Sequence, residues 1–110
     1  MVRRYFVFIL KEYISTDGKN HFRLWLDSLE LTIKAKIQVR LFRVENGNLG
    51  DCKSLGDGVY ELRFMTKSGY RVYFGKEDRK IILLLAGGDK SSQQKDIKKA
   101  KALWLENKER

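Results

Sequence analysis

Arg63 and Arg71 stand in two short stretches of alternating sequence, VYELRFM and YRVYF, separated by the turn-forming TKSG. Alternation sends every second side chain to the same face of a strand. A hairpin that sets Tyr60 opposite Phe74, Leu62 opposite Val72 and Phe64 opposite Tyr70 gathers the apolar pairs on one face, as burial requires. The same register sets Arg63 opposite Arg71 and Glu61 opposite Tyr73. Directly opposed arginines repel. Either they splay into water, with Glu61 neutralising one of them, or an anion sits between them. Lys53 lies in the segment leading into the first stretch, and Lys90 follows the pair Gly87-Gly88. Lys90 also stands where a last helix should begin, and a helix N-terminus offers unpaired N–H donors and the positive end of a dipole. Lys53, Arg63, Arg71, Lys90 and that N-terminus could surround one phosphate.

On RNA, such a group of cations could do more than bind. RNA carries its own nucleophile, the 2′-OH. Cleavage needs a base near that hydroxyl, cations on the phosphorane and an acid for the leaving 5′-oxygen. The base would be Asp51 or Glu61, the stabilisers Arg63 and Arg71, and the acid or further stabiliser Lys53 or Lys90. A lysine of ordinary pKa is a poor proton carrier at neutral pH. Cleavage of free RNA is therefore expected to be slow, and faster where a partner positions the substrate. Tyr73, on the face opposite the apolar pairs, is the better placed of Tyr70 and Tyr73 to stack a base. Lys67, in the turn, and Lys95, on the outer face of the last helix, would add charge along an RNA strand.

Composition points to the same ligand class. The chain has 110 residues, a net charge of +9 and a pI near 9.8, which suits a polyanionic partner. Its length fits one domain spanning residues 1–110, with 43% hydrophobic residues to fill one core. Cys52 is the only cysteine and His21 the only histidine, so neither a disulfide nor a metal site is expected, and no cofactor is implied. The apolar run Phe6–Leu10 is short and lacks a cleavage site, and no run is long enough to span a membrane. A cytoplasmic protein is expected.

The elements that must position these residues can be read in order. Tyr5–Tyr13 is strand-like, and STDGKN (residues 15–20) is turn chemistry. Phe22, Trp25, Leu26 and Leu29 make one face of a short helix. Thr32 is placed to cap a second helix with the face Ile33, Ile37, Leu41 and Val44. A link of two or three residues predicts an antiparallel helical hairpin. After a loop GNLGDCKSLGDG come strands at Val59–Met65, Tyr70–Phe74 and Lys80–Ala86, the last apolar enough to be covered on both faces. Gly87 and Gly88 end it. Ser91 or Ser92 caps a last helix with Ile97, Ala100, Leu103 and Trp104 inward, and the tail ENKER is expected to fray. The expected fold is α+β, in the order β-α-α-β-β-β-α, with a small antiparallel or mixed sheet packed on the helical hairpin.

With that order in hand, the segments GNLGDCKSLGDGVYELRF, GYRVYF and LLAGGDKSSQQKDIKKA resemble the RelE/ParE toxin superfamily, in particular its addiction-module killer (HigB-like) branch. The resemblance covers about residues 5–105. It implies the toxin of a type II toxin–antitoxin pair that cleaves mRNA in the ribosomal A site, with its site on the concave face of the sheet. It maps the arginine of the GYR strand onto Arg71 and the basic residue of the preceding strand onto Arg63. The loop lysine falls at Lys53 and the basic residue after the last strand at Lys90. The chain departs from the pattern in three places. Glu61 stands where some relatives have a second lysine, no histidine follows the last strand, and the last helix has no tyrosine. The implied partners are the ribosome, mRNA and a helix-turn-helix antitoxin (HigA-like). The same fold also serves ParE-like toxins that bind DNA gyrase, and a non-catalytic RNA-binding phage accessory module would use the same cations.

Overall fold

The computed structural model describes residues 7–110; Tyr5 and Phe6 of the expected first strand lie outside them. Strand β1 is Ile9–Glu12. A turn follows in which Ser15 N donates to Lys19 O. Helix α1 (His21–Asp27) is capped by Asn20, whose side chain accepts from Arg23 N. Helix α2 (Leu31–Glu45) starts one turn-half earlier than Thr32 would place it, with Glu30 as N-cap and no side-chain capping bond. Thr32 is therefore helical, and the start is held instead from outside by Lys34 Nζ on Asp27 at 2.8 Å. Ile37, Leu41 and Val44 are buried as the spacing predicts, with Ile33 partly so.

The glycine-rich segment after α2 is more than a loop. Cys52–Gly56 forms an edge strand, β2, antiparallel to β3 (Val59–Arg63). The turn between them holds Gly56, Asp57 and Gly58 at positive φ. Strands β4 (Arg71–Lys76) and β5 (Ile81–Gly88) complete one five-stranded sheet, ordered β1-β5-β4-β3-β2, in which only β1–β5 is parallel. The expected β3–β4 register holds from Tyr60 to Arg63, Arg63 opposite Arg71 included, and just beyond the strands Phe64 N donates to Tyr70 O. A short 3-10 turn, Lys90–Ser92, leads into helix α3 (Gln93–Lys108). The fold class is α+β as expected, with one more strand.

The sheet is covered on both faces. Leu62, Val72, Phe74, Ile82 and Leu84 pack with Phe22 and Leu26 of α1 and Ile37, Leu41 and Val44 of α2. Val59, Tyr73, Leu83, Leu85 and Ala86 pack on the other side with Ala100, Leu103 and Trp104 of α3. This second layer changes what the β3–β4 hairpin can offer to a ligand. The glycine pair makes both dockings possible. A Cβ on Gly87 would come within 2.1 Å of the Trp25 ring, and one on Gly88 within 1.9 Å of Asp96 Oδ2. The glycines are the last two residues of β5, which ends with them as expected, and they let α1 and α3 approach opposite faces of the strand there. The tail does not fray at ENKER. The helix runs to Lys108, Glu106 accepts from the Tyr13 hydroxyl and Thr16 N, and Arg110 Nη1 donates to Ile14 O.

Candidate functional site

The opposed arginines are balanced by neither water nor a ligand alone, because each has its own carboxylate. Arg63 donates from Nε and Nη2 to Asp51 Oδ1, at 3.2 and 3.0 Å. Asp51 reaches it because the chain just before β2 pairs with the end of β3, where Arg63 N donates to Asp51 O. Arg71 faces Glu61, with Nε 3.6 Å from Oε1. Its Nη1 donates to Gly69 O, and Nε is buried with no hydrogen-bond partner among the described residues.

Glu61 is 1% exposed. Its Oε2 accepts from Gln93 Nε2 at 3.0 Å, where the first turn of α3 crosses the sheet. A carboxylate so enclosed cannot reach a 2′-OH, so Glu61 is withdrawn as a candidate base and becomes the partner that fixes Arg71. Tyr73 is corrected for the same reason. It is fully buried under α3, with its hydroxyl unpartnered among the described residues, and presents no ring face to a base. Burial, with the Glu61 charge beside it, holds its phenol well above the ordinary tyrosine range.

What remains is a cleft of about 640 Å³ lined by Asp51, Arg63, Phe64, Met65, Thr66, Gly69, Tyr70 and Arg71. Lys90 stands at its rim. Its backbone N donates to Ser68 O. A Cβ built on Gly69 would be 3.0 Å from Arg71 Nη1 and 3.2 Å from Lys90 Cβ, so the lysine stem and the guanidinium meet over that glycine. Arg63 and Arg71 thus line the cleft together with Asp51, and the Lys90 stem adjoins it at Gly69 without being part of the lining. Lys53 is in the edge strand opposite Glu61, exposed and not part of the cleft lining. Lys67 and Lys95 are exposed and also outside it.

Two features escaped the reading of the sequence. Arg40 of α2 donates from Nη1 to Arg63 O and from Nη2 to Leu49 O and Asp51 O, and lies 4.9 Å from the Phe64 ring centre. It pins the strand ends that carry Asp51 and Arg63, and burial lowers its guanidinium pKa. Spacing alone marks it only as another charge on the outer face of α2. Second, His21 lines a neighbouring cavity of about 570 Å³ with Trp25, Asp89, Ser92, Asp96 and Lys99. Tyr70 borders both cavities.

Among the described residues, no group of three or more His, Cys, Asp or Glu could hold a metal ion, and no helix is long and apolar enough to cross a membrane. Cys52 is half-buried, and burial raises its thiol pKa.

No solved structure matches the chain. A protein of Haemophilus influenzae described as uncharacterized is 51% identical over 86 residues, covering 77% of this chain and 87% of that protein. The family model described as "Phage derived protein Gp49-like" matches residues 24–105, from α1 through most of α3. By that match, the chain belongs to the phage-derived Gp49-like family, a RelE-like, toxin-like family.

Proposed function

We propose that the chain is a toxin of the toxin–antitoxin type acting as a ribosome-dependent mRNA endonuclease, with the Arg63–Arg71–Lys90 cleft holding the scissile phosphate. The observation that carries this reading is the pair of arginines lining one open cleft beside Asp51, with the Lys90 stem adjoining it at Gly69. The 2′-oxygen attacks phosphorus, and its bond forms as the bond from phosphorus to the 5′-oxygen breaks. Charge developing on the phosphorane falls to Arg63 and Arg71. Both Asp51 bonds to Arg63 end on Oδ1, which leaves Oδ2 to receive the 2′-OH proton. Lys90 supplies a proton, or charge, to the leaving 5′-oxygen. The cleft holds no imidazole, so positioning by the ribosome carries much of the rate. A helix-turn-helix antitoxin and the ribosome are the partners of this reading.

A second reading has a specific observation in its favour. Arg71 is committed to Glu61 and Gly69, and Asp51 to Arg63, which suits a phosphate-binding module that holds RNA without cutting it. The deciding experiment expresses the chain with a translated reporter and maps new mRNA 5′ ends, beside a DNA gyrase supercoiling assay. Cuts in translated mRNA alone support the endonuclease. RNA binding without cuts supports the module, and inhibited supercoiling would replace both with a gyrase-directed toxin.

A further inference from the structure

Beyond the cleft, α2 carries a second apolar surface that its core face does not need. Ala35 and Val39 lie four positions apart, on one side of the helix, and both are exposed. They line a groove of about 470 Å³ with Phe64 and Met65 from the end of β3. Val39 is 52% exposed and Met65 93%. An unbranched thioether standing almost wholly in water is costly to leave uncovered, and methionine adapts well to a docked surface. Lys36 and Arg43 rim the groove. Both are exposed, and among the described residues neither is in an ion pair.

We propose that this groove docks an acidic amphipathic helix of a partner protein. The occupant would place apolar residues on Val39 and Met65 and carboxylates against Lys36 and Arg43. Those cations are seven positions apart on α2, about 10 Å along its axis, so the matching carboxylates sit two turns apart on the occupant. Helix-in-groove recognition uses this combination of apolar anchors and flanking charge. RNA fits the groove poorly. Its floor is aliphatic, and one face of its single aromatic ring, Phe64, is already engaged by Arg40, which leaves no stacking platform of the kind that holds bases. Phe64, Met65 and Thr66 line both this groove and the arginine cleft. A helix seated here therefore stands at the mouth of that cleft. The proposal goes beyond the RNA reading and does not rest on it.

The chain has two methionines, Met1 and Met65, so methyl labelling of methionine gives one reporter inside the groove. The labelled full chain is titrated with four probes: a helical peptide of roughly 14 residues with leucine anchors and glutamate flanks, its glutamine and lysine counterparts, and a single-stranded oligouridine. The glutamate peptide is expected to shift the Met65 methyl and to weaken about tenfold at high salt. Val39→Glu, at an exposed position, should abolish that shift. Lys36→Glu with Arg43→Glu should transfer the preference to the lysine peptide. Equal binding of the glutamine or lysine peptide to the unaltered chain would overturn the proposal, as would no shift with the glutamate peptide. Oligouridine moving the Met65 methyl more strongly would make the groove an RNA surface instead. Whether oligouridine perturbs the amides of Arg63 and Lys90 is read separately in the same samples, so failure of the RNA reading is not confused with failure of this one.

Discussion

Glu61→Gln separates a buried ion-pair partner from a general base. Arg71 Nε lies 3.6 Å from Glu61 Oε1, with the side chains 15% and 1% exposed. At an effective dielectric of about 20, that separation corresponds to about 4–5 kcal/mol of gross attraction. Partial exposure of Arg71 and the lack of a direct hydrogen bond between the two groups reduce the expected net loss to about 2–3 kcal/mol. For a chain of this size that is a fall in Tm of about 10–20 °C. Urea and thermal unfolding of Glu61→Gln, Arg71→Gln and the double variant would give the coupling, expected at about 2 kcal/mol. A coupling below about 0.5 kcal/mol would refute the pairing. A Glu61→Gln protein of full stability that nevertheless loses RNA cleavage would refute it differently, by making Glu61 the base after all.

Four further outcomes follow from individual contacts. Tyr73→Phe removes a buried hydroxyl with no partner among the described residues, so stability should hold or rise by up to about 1 kcal/mol and RNA affinity should not change; a large loss of affinity would restore the stacking role. The Tyr73 phenol is held above its ordinary value of 10.0, so its contribution to stability is intact below that pH and is lost as pH rises beyond it; the alkaline absorbance change that is missing in Tyr73→Phe should accompany unfolding. Gly88→Ala would set a Cβ against Asp96 Oδ2 and should cost about 1–3 kcal/mol in urea unfolding, with much of it recovered in Gly88→Ala/Asp96→Ala. The Arg23 hydrogen bond holds the Glu12 carboxyl below its ordinary value of 4.5. Its contribution, about 0.5 kcal/mol for so exposed a pair, should be present above that pH and fade as pH falls through the lowered value; stability of Glu12→Gln against pH would show it.

The hairpin was legible because alternation in two adjacent strands fixes which residues share the buried face, and the short connection between them narrows the register to the one that sets Arg63 against Arg71. The second covering layer was less legible. Ile97, Ala100, Leu103 and Trp104 mark an inward face on α3, but nothing in their spacing says which sheet face it covers. That choice buries Glu61 and Tyr73. Strand β2 was hidden by glycine density, since Gly50, Gly56 and Gly58 read as turn signals while Cys52, Lys53, Ser54 and Gly56 itself pair with β3. The Asp51–Arg63 and Glu61–Arg71 pairs depend on side-chain reach across strands, which charge type alone does not give. Arg40 was equally hidden, because its partners are carbonyl oxygens.

The most direct test of the cleft uses residues whose loss spares the core. Arg71→Ala would leave the buried Glu61 without its counter-charge, held only by Gln93, so folding and chemistry would fall together. Arg63 is 44% exposed on its side chain and Lys90 is exposed, so Arg63→Ala and Lys90→Ala should fold normally. The measurement is the rate at which translated mRNA is cut by the unaltered chain and by these two variants, each checked for native unfolding behaviour. The expected result is cleavage by the unaltered chain, slowed by about 10²-fold or more in Arg63→Ala and clearly reduced in Lys90→Ala. Folded variants that cut at the full rate, or an unaltered chain that does not cut at all, would contradict the assignment of this cleft to the scissile phosphate.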